Sequence, residues 1–217
     1  WAIAGSRTAS GKPLLANDPH LEFSVPSVWF MNHLAAPGIN VTGVSFPGIP
    51  AVIIGHNERI AWGITNLGYD VQDLYEEKID FQTGRYLYKG QMEQARPDRQ
   101  WIIIKGDKPE QQFTWITRHG PIFLIENGKY YSLRWTAAEP GIFEFPFLEL
   151  NRAANWTEFT AALSHLAGPG SNLVYADVDG NIGYHAVGKL PIRRSYNGDV
   201  PVDGSSGAYE WDGFIPF

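Results

Sequence analysis

The chain has 217 residues, 44% of them hydrophobic and 14% aromatic, enough apolar side chain for one domain of ordinary size and too much for a disordered polymer. A net charge of −6, with no basic run longer than Arg193-Arg194, offers no face for phosphate neutralisation and argues against nucleic acid or other acidic polymers as partners. The absence of cysteine removes disulfides, thiol nucleophiles and thiolate metal sites, and no apolar run approaches the ~20 residues that a membrane-spanning helix needs.

Trp1-Ala2-Ile3-Ala4-Gly5 reads as a strand that begins at full hydrophobic strength, so part of it is expected to lie ahead of Trp1. Ser27 to Leu34 is a strand-length run with aromatic and β-branched residues that follows Pro26, and it predicts a second strand. The turn-rich segment from Asp80 to Asp98 predicts an exposed excursion from the core. Gln100 to Lys105 and Gln112 to Thr117 are strand-length runs rich in aromatic and β-branched residues, and Asn127-Gly128 marks a hairpin turn. One clear helix starts at Asn155, whose side chain can cap the first-turn amides while Glu158 reaches back; Trp156, Phe159, Ala162, Leu163 and Leu166 then share a face. Gly168-Pro169-Gly170 ends it. Asp179-Gly180 joins Leu173–Val178 to Asn181–Ala186 in a second hairpin. Trp62, Trp101, Trp115, Trp135 and Trp156 are expected in the core. No repeat, linker or shift in composition divides the chain, which reads as a single β-rich domain over residues 1–217.

Familiar chemical signatures fail in turn. Gly43-Val44-Ser45-Phe46-Pro47 approaches a nucleophile elbow, but Pro47 replaces the small residue that the strand-to-helix turn requires. The zinc-protease, P-loop and dinucleotide motifs are absent, and six scattered histidines make no metal site.

What remains is a series of polar clusters at strand ends. Trp1-Ala2-Ile3, Leu15-Ala16-Asn17-Asp18-Pro19-His20, Pro47-Gly48-Ile49-Pro50, Gly55-His56-Asn57-Glu58-Arg59 running on to Thr65-Asn66, His119-Gly120-Pro121 and Tyr175 to Tyr184 follow one another in an order that resembles the β-chain of the penicillin acylase family of N-terminal nucleophile hydrolases. The resemblance covers nearly the whole chain. It implies an α+β fold, a β-rich fragment of the αββα sandwich. It also implies a precursor that cleaves itself to expose a serine whose own α-amino group acts as general base. In that family the serine lies three positions ahead of the residue matching Trp1. The isolated 217-residue polypeptide is therefore expected to be inactive, because loss of the attacking hydroxyl costs several orders of magnitude.

By the same resemblance His20 lies beside the serine and tunes its proton transfer, and the backbone N–H of Asn66 donates to the oxyanion; a second donor, an asparagine side chain, matches no position up to Phe217. Leu21, Ile54, Ile64 and Ser171 match positions lining the acyl pocket. Aliphatic residues at the first three, where the phenylacetyl-selective branch has Phe or Ser, imply an aliphatic acyl chain. Asp70, Gln72 (through its carbonyl) and Asp73 match ligands of a structural Ca²⁺. The implied partners are an N-acyl amide such as a penicillin, cephalosporin or acyl-homoserine lactone, the α-chain and the remaining β-chain, with a periplasmic or secreted location and self-association of the isolated fragment.

Most of these residues also have a plainer reading: His20 in a turn, Asn66 chosen for a turn, Leu21, Ile54 and Ile64 in ordinary packing, Asp70 and Asp73 in an acidic turn. From outside this family, a non-catalytic β-rich carbohydrate- or protein-binding module with aromatic platforms stays open. His56-Asn57 and His119-Gly120-Pro121 read as structural junctions.

Overall fold

The computed structural model describes residues 1–139 and 144–217. In chain order it begins with the short pair β1 (Ala2–Ile3) and β2 (Leu14–Leu15), then β3 (Phe30–Ala36), β4 (Ile39–Ser45), β5 (Ile54–His56) and β6 (Ile60–Asn66). There follow β7 (Gln72–Glu77), β8 (Ile79–Asp80), β9 (Arg85–Tyr88), β10 (Gln91–Gln94), β11 (Arg96–Ile102), β12 (Glu110–Ile116), β13 (Ile122–Glu126) and β14 (Lys129–Trp135). Two helices, α1 (Phe147–Arg152) and α2 (Trp156–Leu163), lead to β15 (Ser171–Asp177), β16 (Ile182–Val187), β17 (Pro191–Arg193), β18 (Val202–Asp203) and β19 (Trp211–Phe214). The chain's contacts divide into two compact units: Trp1–Tyr69 with Gly141–Lys189 and Phe217, and Asp70–Pro140 with Leu190–Pro216.

The first unit is built on a six-stranded antiparallel sheet in the order β16-β15-β6-β5-β4-β3. Strand alternation puts Ile60, Trp62 and Ile64 of β6 on one face, opposite Asp177, Tyr175 and Leu173 of β15. Trp62, Leu173 and Tyr175 are fully buried there with Phe147 and Leu150 of α1 and Phe159 and Leu163 of α2. Asn155 caps α2 as its sequence implies, accepting from the Glu158 N–H at 3.0 Å. The Glu158 carboxylate accepts from the Ala154 N–H at 2.8 Å, one residue further back than a standard capping box. Gly183 admits α2: a Cβ there would lie 2.4 Å from the Trp156 ring.

α1 was not legible in the sequence. It is six residues long, too short for an apolar period to register, and its Asn151 serves the sheet rather than the helix. The buried Asn151 amide accepts from the Val52 N–H at 2.8 Å and donates to the Val52 carbonyl at 2.7 Å, which satisfies a backbone segment that has left the ladder. Asn57 ties the same region down, donating to the Asn151 and Ala153 carbonyls.

The second unit contains the sheet β13-β14-β7-β18, the meander β10-β9-β8, the hairpin β11-β12 and the pair β17-β19. Here the expected excursion from Asp80 to Asp98 is corrected. Tyr86, Tyr88 and Ala95 are buried with Ile79, Trp115 and Ile122, because β9 turns alternate side chains onto a small core of its own. Two of the tryptophans expected in the core are also corrected. Trp101 is 62% exposed on the two-stranded β11-β12 hairpin, which has no layer over it there, and Trp135 is 41% exposed at the end of β14. The Asn127-Gly128 turn is as read, with both residues at positive φ, 51° and 76°, between β13 and β14. The strand expected over Gln100 to Lys105 instead runs from Arg96 and takes Pro97 into an edge position of the hairpin.

Candidate active site

The helix-covered face of the six-stranded sheet ends in an open cavity of about 730 Å³. Its wall begins where the side-chain rows run out, at Ser171 opposite Asn66 and at Ile64, whose partner Leu173 is in the core. The lining contains His20, Leu21, Ile54, Ile64, Asn66 and Ser171, the six residues singled out for catalysis and acyl binding in the sequence, brought together from four separate stretches of chain. The surroundings are mainly apolar. Trp29 and Phe46 stack at 4.4 Å between ring centroids, and Ile49, Phe145, Phe147 and Leu166 complete the slot. Of these, the helical period exposes Leu166 in the sequence; Phe147 sits on the unread helix, and Trp29 and Phe46 flank strands where one-dimensional patterning assigns no partner.

The polar groups lie at the rim. The His20 ring is 3.0 Å from Asp18 Oδ2, with both side chains more than 80% exposed, and Glu144, also in the lining, meets His165. Ser171 is buried and donates to the Pro169 carbonyl at 2.9 Å, so its hydroxyl is held by its own backbone.

Asn66 closes β6, and the hydrogen-bond alternation of the ladder fixes where its amide points. The Leu67 N–H reaches the Gly170 carbonyl at 3.0 Å, so Leu67, Thr65 and Gly63 direct their backbone groups to β15, and the Asn66 N–H points the other way. On that side the pairing of β5 with β6 stops at Gly55 and Trp62. The amide is left at the end of a ladder, beside the cavity. The Asn66 side chain caps the turn instead, its Oδ1 accepting from the Gly68 N–H at 3.0 Å.

Asp70, Gln72 and Asp73 lie in the second unit and line no part of this cavity. The Asp73 carboxylate is buried against the Arg193 guanidinium, and its Oδ2 is filled by donors from Arg193, Tyr196 and Trp211. This set does not fit a hard dication, and no chemical step is derived through one. Among the described residues no group of three or more His, Asp or Glu is arranged to hold a metal ion. Among them, too, no helix is long and apolar enough to cross a membrane.

A β-rich α+β unit with helices on one sheet face and an apolar cavity at the strand ends has the architecture of an N-terminal nucleophile hydrolase fragment. The solved thermostable penicillin G acylase from Alcaligenes faecalis superposes on the whole chain with a TM-score of 0.90 at 29% identity, matched over 40% of that chain. The profile described as penicillin amidase matches residues 1–217, and the chain belongs to that family. It is 34% identical to the acyl-homoserine lactone acylase QuiP of Pseudomonas aeruginosa over 99% of its residues. It is 32% identical to the penicillin acylase 2 proenzyme of Pseudomonas sp. SE83 and 30% identical to Escherichia coli penicillin G acylase, in both cases over 100% of this chain. The chain spans about a quarter of the length of these curated relatives, 26–28%.

Proposed function

We propose that this chain is part of an acylase that hydrolyses an N-acyl amide, with the acyl group in the apolar cavity of the first unit. The convergence of His20, Leu21, Ile54, Ile64, Asn66 and Ser171 on one cavity is the observation that carries the reading. The strand register supports the position of the nucleophile. Ala2 pairs with Leu15, and Trp1 and Ala16 exchange backbone hydrogen bonds of 2.6 and 2.9 Å. Continued in the same register, a residue three positions ahead of Trp1 would face Pro19, one residue from His20 and at the wall of the cavity.

In this reading a serine at that position attacks the acyl carbonyl while its own α-amino group takes the hydroxyl proton. The tetrahedral oxyanion receives the Asn66 N–H, the proton passes to the leaving amine, and water then hydrolyses the acyl ester. His20 orients the proton transfer from the rim. Leu21, Ile54 and Ile64, with Trp29 and Phe46 behind them, select a flexible aliphatic acyl chain over a phenylacetyl group. The exposed apolar run Leu21, Phe23, Val25, Phe30 and Met31 supports a further polypeptide, an α-chain or the rest of the β-chain, covering this edge.

The test is a comparison of kcat/KM for decanoyl and phenylacetyl amides by the complete protein carrying this chain, with the 217-residue polypeptide as control. The expected result is a preference for the aliphatic amide and no turnover by the control. Equal or better turnover of the phenylacetyl amide sinks the aliphatic assignment, and hydrolysis by the control misplaces the nucleophile.

A further inference from the structure

Asp70 and Asp73 form a pair of carboxylates at the start of β7, and a hard dication is one way to neutralise such a pair. In this chain the positive charge is already covalently present. Arg193 Nε donates to both Asp73 oxygens, at 3.0 and 2.9 Å, and its Nη2 lies 3.1 Å from Asp70 Oδ2 and 3.1 Å from the Asp70 carbonyl. The Asp73 side chain is 1% exposed and that of Arg193 9%, so the pair is desolvated and the guanidinium cannot swing into water without leaving a buried charge behind.

Two further donors fill Asp73 Oδ2: the Tyr196 hydroxyl at 2.9 Å and the Trp211 indole N–H. Their delivery is a property of the fold. Arg193 and Trp211 are direct partners in the β17-β19 ladder, so one register sets both donors on the same carboxylate, and Tyr196 follows in the next turn. The backbone then closes over the pair at Gly198, which has a φ of +92°. A Cβ there would lie 2.6 Å from Asp70 Oδ2 and 2.8 Å from Arg193 Nε, so glycine is required by both conformation and space. Coordination of Ca²⁺ needs free oxygen lone pairs at about 2.3–2.6 Å; Asp73 Oδ2 has none left, and the guanidinium would repel the ion.

We propose that Arg193 is the built-in counter-cation of the Asp70–Asp73 site, so that this chain holds its second unit together without the divalent cation which the family resemblance implies. The planar guanidinium is suited to this role, since it binds two carboxylates and a carbonyl with donors fixed in one plane.

The experiment uses the complete protein that carries this chain, dialysed against EDTA, with CaCl₂ alone as the probe. The wild type is expected to melt within about 1 °C of the same temperature in 1 mM EDTA and in 5 mM CaCl₂, and to show no calorimetric uptake of Ca²⁺. Arg193→Met is expected to lower the melting temperature by about 5 °C or more. Stoichiometric calcium uptake by the wild type, or a calcium-dependent rise of several degrees, overturns the proposal, as does an Arg193→Met variant as stable as the wild type. Should that variant not fold, the wild-type calorimetry decides alone.

Discussion

The two units use polar groups in opposite ways. In the second, the buried charges at Asp73, Glu77 and Glu210 are met by side chains of the same chain, although Glu77 Oε2 is buried without a hydrogen-bond partner among the described residues. Glu77 Oε1 accepts from Thr117, His119 and Ser132 at 2.7–2.8 Å, and the far side of the His119 ring meets Glu210, which also takes Arg134 and Tyr88. In the first, the polar groups at the cavity sit at an open rim, where the pair His20–Asp18 is exposed to water rather than buried. His20 is exposed, the Asn66 amide ends a ladder, and the slot beside them is apolar. Saturated polar clusters make structure; chemistry needs donors whose partner is yet to arrive.

The largest effect should come from breaking a saturated cluster. Asp73→Ala removes the acceptor of Arg193, Tyr196 and Trp211 together and should cost about 3–5 kcal/mol in urea unfolding, because it strands a buried guanidinium. A mild loss, under about 1 kcal/mol, would mean that these donors reach water and that the cluster is less closed than its geometry.

The His119 cluster sharpens the comparison through pH. Burial works against the charged ring, but hydrogen bonds to Glu210 and Glu77, together with their charges, outweigh it and raise the His119 pKa above its ordinary 6.5. Burial opposes ionisation of Glu210 as well, yet the His119 hydrogen bond and charge, then Tyr88 and Arg134, lower its pKa from 4.5 to about 2. A raised base contributes stability that is full below about pH 6.5 and lost as pH rises through its folded value. A depressed acid contributes stability present above about pH 4.5 and lost as pH falls toward 2. Stability should therefore decline on both sides of the interval between pH 4.5 and 6.5, by on the order of 2–3 kcal/mol on the acid side. His119→Gln should flatten the alkaline limb in denaturant titrations across pH; an unchanged limb would place the titrating group elsewhere.

In the first unit, Gly183→Ala should destabilise by about 1–3 kcal/mol, since its Cβ meets the Trp156 ring at 2.4 Å and α2 must shift. The smallest effect is expected at Asn66. Asn66→Ala in the complete protein should change kcat by less than about 3-fold, because the proposed oxyanion donor is the backbone N–H and the side chain caps a turn. A loss of about 100-fold would transfer the donor role to the side-chain amide.

What could be read in the sequence follows the same division. The α2 cap and the two Gly-containing hairpins are local, and short-range patterning recovers them. The cavity residues came from motif order, not periodicity, since nothing in one dimension brings Leu21 to Ile54 or Ser171. Helix α1 was too short to announce itself, and Tyr86 and Tyr88 looked exposed because their covering layer, Trp115 and Ile122, lies about thirty residues on. The calcium expectation at Asp70 and Asp73 came from the family resemblance, and nothing in one dimension brings Arg193, 120 residues from Asp73 on β17, beside them.

The most direct test of the account is a crystal structure of the complete protein with a long-chain alkylboronate, which adds to a nucleophilic hydroxyl as a tetrahedral adduct. The predicted result is an alkyl chain lying against Ile54, Ile64 and Leu21, with one boronate oxygen within 3.2 Å of the Asn66 nitrogen. A ligand bound away from this cavity, or an Asn66 amide turned from the boronate, would contradict the assignment.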